Sequence, residues 1–322
     1  MKRRDLLKLG ALAAIAGPAF PQAKFPERPI RLVVPFAPGG DGDMMGRLWA
    51  KYAAPHVGGS IVVENKAGAG GAIGATEVAR AGGDGHLLLL GTTTTQIINP
   101  AAQPAVQYDA LKDFVLVGMV SLTATCIVVN PAVPATSLRE LVALLKANPG
   151  RYSYGSAGHG TITNLTGQLL NLQGGQLDVV HVPYKGGGPA MQDLIAGHIP
   201  IITPILSTAV LAQHRAGRAR ILSVNSDERV KTVPDIPTSI EAGLPGMHVE
   251  VFSAVFAPVE TASQAIDVLR QATRRLRADP AFLQDLEKAG AEPFPAMSEE
   301  KFLRDEVSRW TQVVRATGFK AQ

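Results

Sequence analysis

The chain has 322 residues, of which 46% are hydrophobic and 33 are glycine, and its formal net charge at pH 7 is +4. This length exceeds what one hydrophobic core usually accommodates, so two domains are expected, and the glycine content is typical of an α/β protein with many tight turns. Beyond the N-terminus no apolar run approaches the roughly 20 residues of a membrane-spanning helix, which argues against insertion into a membrane.

The first residues have the pattern of an export signal. A basic start at residues 2–4 precedes a short apolar block, Leu9–Gly17, and Ala23 ends a cleavage site of small residues. The adjacent arginines also resemble a twin-arginine export signal. A buried N-terminal helix is the alternative, but prolines follow the apolar block. We therefore predict a signal peptide over residues 1–23 and export to the periplasm, by the general or the twin-arginine route.

Loss of that signal would leave the chain almost neutral. Residues 1–23 hold four basic side chains and one acidic side chain, so the remainder has a formal charge of +1. Nucleic-acid-binding proteins usually present a clustered basic face, so no nucleic-acid partner is expected. Cys126 is the single cysteine, which rules out an internal disulfide, and its apolar neighbours predict a buried thiol.

Short apolar runs alternate with amphipathic segments along the rest of the chain. Because the runs lack strict polar alternation, they predict strands that are covered on both faces. The predicted strands are Ile30–Val34, Ile61–Glu64, Leu87–Leu90, Val115–Val120, Ile127–Asn130, Ser153–Gly155, Val179–Val182, Ile199–Thr203, Ile221–Val224 and Val251–Phe256. The predicted helices are Met44–His56, Ile73–Ala81, Leu138–Ala147, Ile162–Leu172, Ala190–Gly197, Thr208–Ala216, Ala262–Ala278, Ala281–Ala289 and Glu299–Thr317. This alternation predicts mostly parallel sheets with helices on both faces.

Two extended stretches suggest where the chain passes between domains. Residues 121–125 and 225–229 each follow a strand and carry no helix signal. We predict a discontinuous first domain, residues 24–123 with 227–322, and a second domain that comprises residues 124–226.

Four glycine-rich turns follow strands and precede helices, and they are the main candidates for a functional site. They are Pro35–Asp43, Asn65–Gly71, Tyr154–Thr161 and Tyr184–Pro189. Each would expose backbone amides at the positive end of a helix, where an anion binds readily. The alternative is that such turns only connect the elements of an α/β fold. Four of them, divided between two predicted domains, favour a shared cleft.

Nucleotide and metal binding find little support in these turns. None has the GxxxxGK[ST] pattern of a phosphate loop, and Ile73 stands where a dinucleotide-binding turn needs its third glycine. The seven histidines form no i,i+4 pair, so no zinc motif is present. We therefore expect no metal and no cofactor.

Ser156 keeps a different class of function open. It follows Gly155 at a strand end, but a nucleophile elbow needs Gly-x-Ser-x-Gly, and His159 is too close in sequence for the usual base geometry. An exported serine hydrolase that acts through Ser156 is therefore the alternative to an anion-binding protein. Asp41 and Asp43 could also form an acid pair for glycoside chemistry, although neighbouring turn acids more often cap a helix.

Several motifs together resemble the substrate-binding receptors of tripartite tricarboxylate transporters, also called Bug receptors. The motifs are Pro35–Gly40 with Asp43 and Arg47, Val63–Gly71, Tyr154–Gly158 with Gly160 and Thr161, Val182–Gly186 with Gly188–Ala190, Asp193 and Leu194 with Gly197, Pro234–Thr238 with Glu241–Gly246, and Phe256–Pro258. The resemblance implies a monomeric, non-enzymatic periplasmic binding protein of type II, with mixed, mostly parallel sheets. Its two domains would close on a small organic carboxylate, and membrane transporter subunits or a sensor protein would be its partner.

The resemblance also implies which residues form the cleft. In such receptors the ligand carboxylate lies between the turn after the first strand and the opposite turn of the second domain. Carried over, the ligand-binding residues are Phe36, Ala37, Gly40 and Asp41 on one wall, Ser156, Ala157, Gly158 and Thr161 on the other, and Thr92 and Thr93 towards the hinge. The supporting residues would be Asp43, Arg47, Tyr184 and Pro204, with Asp43 capping the helix behind the first turn.

The chain departs from the family pattern at a few positions. Gly42 lies where a threonine is common, and Pro200 and Pro204 stand where such receptors usually carry aspartates. Absence of those acids predicts a mono- or dicarboxylate ligand without an amine. Since neither facing turn contains Lys or Arg, backbone amides should carry the anion, and Gly40 should be needed for close approach and for its φ angle.

Overall fold

The computed structural model describes residues 25–102, 106–317 and 319. The strands are β1 (Ile30–Val34), β2 (Ile61–Asn65), β3 (Leu87–Thr92), β4 (Phe114–Ala124), β5 (Cys126–Val129), β6 (Tyr152–Ser156), β7 (Val179–Pro183), β8 (Ile201–Ile202), β9 (Arg220–Val224), β10 (Glu250–Pro258) and β11 (Glu292–Pro293). The α-helices are α1 (Asp41–Val57), α2 (Ala72–Ala79), α3 (Asn99–Ala102), α4 (Leu138–Ala147), α5 (Ile162–Gln173), α6 (Gly187–Ala196), α7 (Thr208–Arg215), α8 (Ser263–Leu276), α9 (Pro280–Lys288) and α10 (Glu299–Thr317). The predicted signal peptide lies outside the described residues.

The strands form two sheets with the same internal plan. The first has the order β2-β1-β3-β10-β4-β11, and the second has the order β7-β6-β8-β5-β9. In each, one antiparallel strand separates parallel ones: β10 lies between β3 and β4, and β5 lies between β8 and β9. The predicted α/β class with mixed, mostly parallel sheets is confirmed.

The chain passes between the sheets twice, and the two passages are hydrogen-bonded to each other. Thr125 N donates to Val249 O at 3.0 Å, Val249 N donates to Asn225 O at 2.7 Å, and Asn225 N donates to Thr125 O at 2.8 Å. Thr125, Asn225 and Val249 are all fully buried. The side chains of the two polar residues are also joined, because Asn225 Nδ2 donates to Thr125 Oγ1. The domain boundaries near residues 123 and 227 stay a prediction.

Both faces of the first sheet are covered. Leu32 and Val34 of β1 pack in the apolar cluster that contains Trp49 of α1, whereas Val33 packs in the cluster on the opposite face, and each of these side chains is fully buried. This explains the uninterrupted apolar run of β1, since a strand with two covered faces has no side for polar residues. In the described part of the chain, no helix combines the length and apolar character needed to cross a membrane.

Two elements near the cleft differ from their predicted bounds. α1 begins at Asp41 rather than Met44, because Gly40 is the last residue with extended backbone angles. β8 has two residues rather than five, since Pro200 and Pro204 flank it and have no amide hydrogen to donate to a neighbouring strand. The earlier start of α1 places both turn aspartates in its first turn.

Candidate functional site

The first wall of the cleft is the turn between β1 and α1, and Asp43 fixes its shape. One carboxylate oxygen of Asp43 accepts from Gly39 N at 3.0 Å and from Arg47 Nε at 3.0 Å, and the other accepts from Asn65 Nδ2 at 2.9 Å. Burial raises the pKa of Asp43, but these hydrogen bonds outweigh burial, so the net pKa lies below the ordinary value. Asp43 therefore reaches back to the turn, as an acid at the third helical position can.

Glycines in this turn serve different purposes from those expected. Gly40 has φ −89°, which any residue adopts. The prediction that position 40 requires glycine for its φ angle is therefore wrong. The positive φ of +80° belongs to Gly39. Gly42 is needed for space, because a Cβ at that position would lie 2.8 Å from Cδ2 of Phe36. This contact accounts for the glycine at position 42, where the resemblance implies a threonine.

The segment after β3 contributes a run of four threonines whose hydroxyls have different roles. Thr95 Oγ1 accepts from Thr92 N at 3.0 Å, and Thr93 Oγ1 accepts from Phe252 N at 3.0 Å. Thr94 Oγ1 accepts from Ile162 N at 3.2 Å, which links this segment to the first residue of α5. Thr93 is thus occupied in holding β10, and Thr94, which the sequence did not single out, joins the two walls.

The second wall is the turn between β6 and α5. Thr161 caps α5, since its hydroxyl accepts from Asn164 N at 3.3 Å and donates to Gly158 O at 2.7 Å. Ala157 N donates to Thr163 Oγ1 at 2.9 Å. The side chain of Thr161 and the amide of Ala157 are therefore engaged within the wall, and the amides of residues 159–161 have no partner among the described residues.

Ser156 lies beside a histidine that the sequence did not suggest. Its Oγ is 2.7 Å from Nε2 of His181, because β6 and β7 pair in a register that sets Tyr154 opposite His181. The imidazole stacks on the ring of Tyr154, and their centroids are 5.0 Å apart. It also makes an edge-to-face contact with the ring of His159, with a centroid separation of 5.1 Å. Burial, with a smaller contribution from His159, lowers the pKa of His181 to about 4.

The remaining turn brings the two walls together. Tyr184 N donates to Ser156 O at 3.0 Å, and its hydroxyl donates to Asp193 at 2.8 Å. Two residues on, a Cβ placed on Gly186 would lie 3.9 Å from Cβ of Ala37 on the first wall. Pro204 is buried further back, where its carbonyl accepts from Cys126 N at 2.9 Å. Cys126 is fully buried, as predicted.

Asp41 carries the one carboxylate of these turns that has no hydrogen-bonding partner among the described residues. The residue is partly exposed, but both of its carboxylate oxygens are buried and have no partner among the described residues. Burial raises its pKa from 3.8 to about 7. Asp43 has several partners and Asp41 has none, so the two do not act as a matched acid pair.

The chain is similar in sequence and in structure to known proteins. The profile of the tripartite tricarboxylate transporter family receptors matches residues 45–319. Protein BugT of Bordetella pertussis is 34% identical over 322 residues, covering 98% of each chain. The periplasmic binding protein BugD is 32% identical, with a TM-score of 0.86 over 92% of this chain and 100% of that one. Rpa4515 of R. palustris, solved with adipate, is 29% identical, with a TM-score of 0.87 over 92% and 99% of the two chains. The predicted periplasmic-binding-protein fold is confirmed.

Proposed function

The chain belongs to the tripartite tricarboxylate transporter receptor family, and from this premise we propose that it is a periplasmic receptor for a small organic carboxylate. Residues 1–23 direct its export, and the two walls close over the ligand. Membrane subunits of a tripartite transporter, or a sensor protein, then recognise the closed receptor. The matching family consists of receptors, and BugD is a periplasmic binding protein, which supports binding rather than catalysis.

One observation carries this proposal: α1 and α5, which pack on different sheets, begin at glycine-rich turns that lie close together and contain no lysine or arginine. α1 begins after Pro35–Gly40, and α5 begins after residues 157–161. The first amides of a helix have no intrahelical partner, and the helix dipole favours an anion there. The approach of Gly186 to Ala37 sets the walls within reach of one small molecule.

The geometry refines which atoms of the expected residues would bind. On the first wall the available donors are the amides that open α1, those of Gly40, Asp41 and Gly42. On the second wall the amides of Ala157 and Gly158 already donate to hydroxyl oxygens, so the donors are those of residues 159–161. Adipate in the Rpa4515 structure supports a carboxylate as the ligand.

A thermal-shift comparison of acids with their amides tests the proposal. Residues 24–322 would be heated with succinate, glutarate and adipate, and with the corresponding diamides, which keep the shape but lack the charge. A ligand at a hundredfold excess over its dissociation constant stabilises the folded form by about 2.7 kcal/mol, so a rise of several degrees is expected for at least one acid and none for its diamide. Equal shifts with acid and diamide would contradict the proposal.

A serine hydrolase is the second candidate, and the contact between Ser156 and His181 favours it. A nucleophilic serine requires a general base within hydrogen-bonding distance. Two features weigh against it. The lowered pKa of His181 makes it a weak base, and Ala157 N, which follows the serine, donates to Thr163 instead of facing an open site. Esterase and amidase assays decide: turnover that disappears in Ser156→Ala would support the hydrolase.

A further inference from the structure

Five buried oxygen atoms, on the first residue of α1 and on three strands of the first sheet, have no hydrogen-bonding partner within the described residues. They are both carboxylate oxygens of Asp41 and the hydroxyl oxygens of Thr92, Thr123 and Ser253. The three hydroxyl-bearing residues are at most 3% exposed. Buried polar groups are normally paired, and an unpaired carboxylate is the most unfavourable of them. The set is therefore suited to a bound group that donates several hydrogen bonds.

The register of the first sheet sets Thr92 directly opposite Ser253, with Thr123 diagonal to Ser253. Ser253 of β10 lies opposite Thr92 of β3 and opposite Ser121 of β4. Thr123 is two residues further along β4 and shares its face with Ser121. Ser121 Oγ contacts Met45 Sδ at 3.4 Å, which identifies this face as the one that α1 covers.

Helical periodicity brings Asp41 to the same group. Asp41 and Met45 are four residues apart on α1, so they lie on one side of the helix, about 6 Å apart along its axis. Two residues along a strand cover a similar distance, about 6.7 Å. Because α1 returns antiparallel to the strand it follows, the step from Met45 to Asp41 runs in the same direction as the step from Ser121 to Thr123. The carboxylate of Asp41 therefore lies over the end of the sheet where Thr92 and Thr123 stand.

No cation of the described chain offsets the charge of Asp41. The only basic residue in the first two turns of α1, Arg47, donates to Asp43. The ion pairs among the described residues do not include Asp41, and neither facing turn supplies a lysine or arginine between residues 35–42 or 154–161. A carboxylate buried in this way gains most from a cationic partner.

We propose that these oxygens bind an ammonium group, and that the ligand is an amino acid or a similar zwitterion whose carboxylate lies on the amides of the two walls. This inference rests on the proposed function, since it adds a second anchor inside the same cleft. An ammonium group has three donors and no acceptor, which matches one carboxylate oxygen and two hydroxyl oxygens. A ligand hydroxyl offers one donor and leaves the charge of Asp41 uncompensated.

The inference reverses the expectation drawn from Pro200 and Pro204. Those prolines flank β8, where the resemblance implies acids, and the absence of the acids predicted a ligand without an amine. Here the acid stands on the first wall instead, at Asp41, next to the amides that receive the carboxylate. An α-amino acid carries its ammonium and its carboxylate on the same carbon atom. One ligand of this kind can therefore contact the carboxylate of Asp41 and the neighbouring backbone amides together.

Matched acids that differ in one substituent test the inference. The first series is aspartate, malate and succinate, which are four-carbon diacids with an ammonium, a hydroxyl or a hydrogen at C2. A second series is glutamate, 2-hydroxyglutarate and glutarate, and a third is alanine, lactate and propionate. In calorimetric titration of residues 24–322, the amine is expected to bind at least tenfold tighter than its counterparts in at least one series. Asp41→Asn should weaken binding of the amine more than binding of the plain acid, which removes that preference. Asp267→Asn, which neutralises an exposed acid on α8, should change neither.

Two results would overturn the inference while leaving the receptor function intact. One is a plain or hydroxylated acid that binds at least as tightly as its amine in every series. The other is an amine preference that survives Asp41→Asn. If no acid bound in any series, the proposed function itself would fail, and the inference with it. Asp41→Ser provides a second neutral variant, and circular dichroism verifies that each variant is folded.

Discussion

Asp43 holds the first turn in place through three partners. Its carboxylate accepts from the amide of Gly39 and from the side chains of Arg47 and Asn65. Asp43→Ala would leave the Gly39 amide unpaired and remove one of the two acceptors of Asn65 Nδ2, the other being Phe36 O. We therefore expect the free energy of unfolding to fall by about 2 kcal/mol and carboxylate binding to weaken at least tenfold. Denaturant titration and calorimetry measure the two effects.

Arg47→Ala is the matched control for that prediction. The side chain of Arg47 is 57% exposed, so its ion pair with Asp43 contributes at most about 1 kcal/mol. We expect a small loss of stability and a modest loss of affinity. Complete loss of binding in a folded Arg47→Ala protein would mean that the guanidinium, rather than the backbone, holds the anion.

Asp41 couples the stability of the ligand-free chain to pH. Burial raises its pKa from 3.8 to about 7, so between these values the folded chain holds a proton that the unfolded chain has lost. The stability from this group is fully present below its unfolded pKa and is lost as the pH rises through 7. Asp41→Asn lacks this pH dependence. Its free energy of unfolding is therefore expected to rise relative to that of the wild type between pH 4 and pH 8, by up to about 4 kcal/mol. Melting temperatures of both proteins across this range measure the gain, and a pH-independent difference would contradict it.

At the scale of elements, the contact between the segment after β3 and the start of α5 joins the two sheets. Thr94 Oγ1 accepts from Ile162 N, and both residues are buried. Thr94→Val leaves that amide unpaired whenever the walls are closed, so the affinity for the ligand is expected to fall roughly tenfold. Thr93→Val is the control: Thr93 accepts from Phe252 within the first sheet, so its loss should lower stability more than affinity. Unchanged affinity in Thr94→Val would show that this contact does not contribute to closure.

Elements with local signals could be predicted from the sequence. α4 spans Leu138–Ala147 as predicted, and it is capped locally, because Ser137 Oγ accepts from Glu140 N at 3.2 Å. β1 also has its predicted bounds, Ile30–Val34, because Pro35 ends an apolar run that is buried on both faces. In these cases neighbours within a few residues determine the conformation.

Features of the site that depend on distant contacts could not be predicted. The pairing of Ser156 with His181 requires the register between β6 and β7, so the sequence drew attention to His159 instead. The role of Thr94 depends on Ile162, 68 residues away. Asp41 was chosen as a site residue by resemblance, but the burial of its oxygens beside Thr92, Thr123 and Ser253 follows only from the packing of α1 on the sheet. The ligand-binding roles themselves stay a prediction.

At the scale of the whole molecule, two sheets of the same plan are joined by two neighbouring passages. These passages are hydrogen-bonded through Thr125, Asn225 and Val249, and their polar side chains are buried. One buried apolar cluster contains residues of both sheets, among them Leu89 of β3 and Ile127 of β5, so the core is continuous across the two passages.

The most direct measurement concerns the backbone amides of the two walls. Amide resonances of ¹⁵N-labelled residues 24–322 would be followed while the tightest-binding acid from the calorimetric series is added. The amides of Gly40, Asp41 and Gly42 and those of residues 159–161 should shift together, with one dissociation constant, and should not shift with the corresponding amide of the acid. Shifts confined to one wall, or saturable binding that leaves both sets of amides unchanged, would contradict a carboxylate held between the two helix starts.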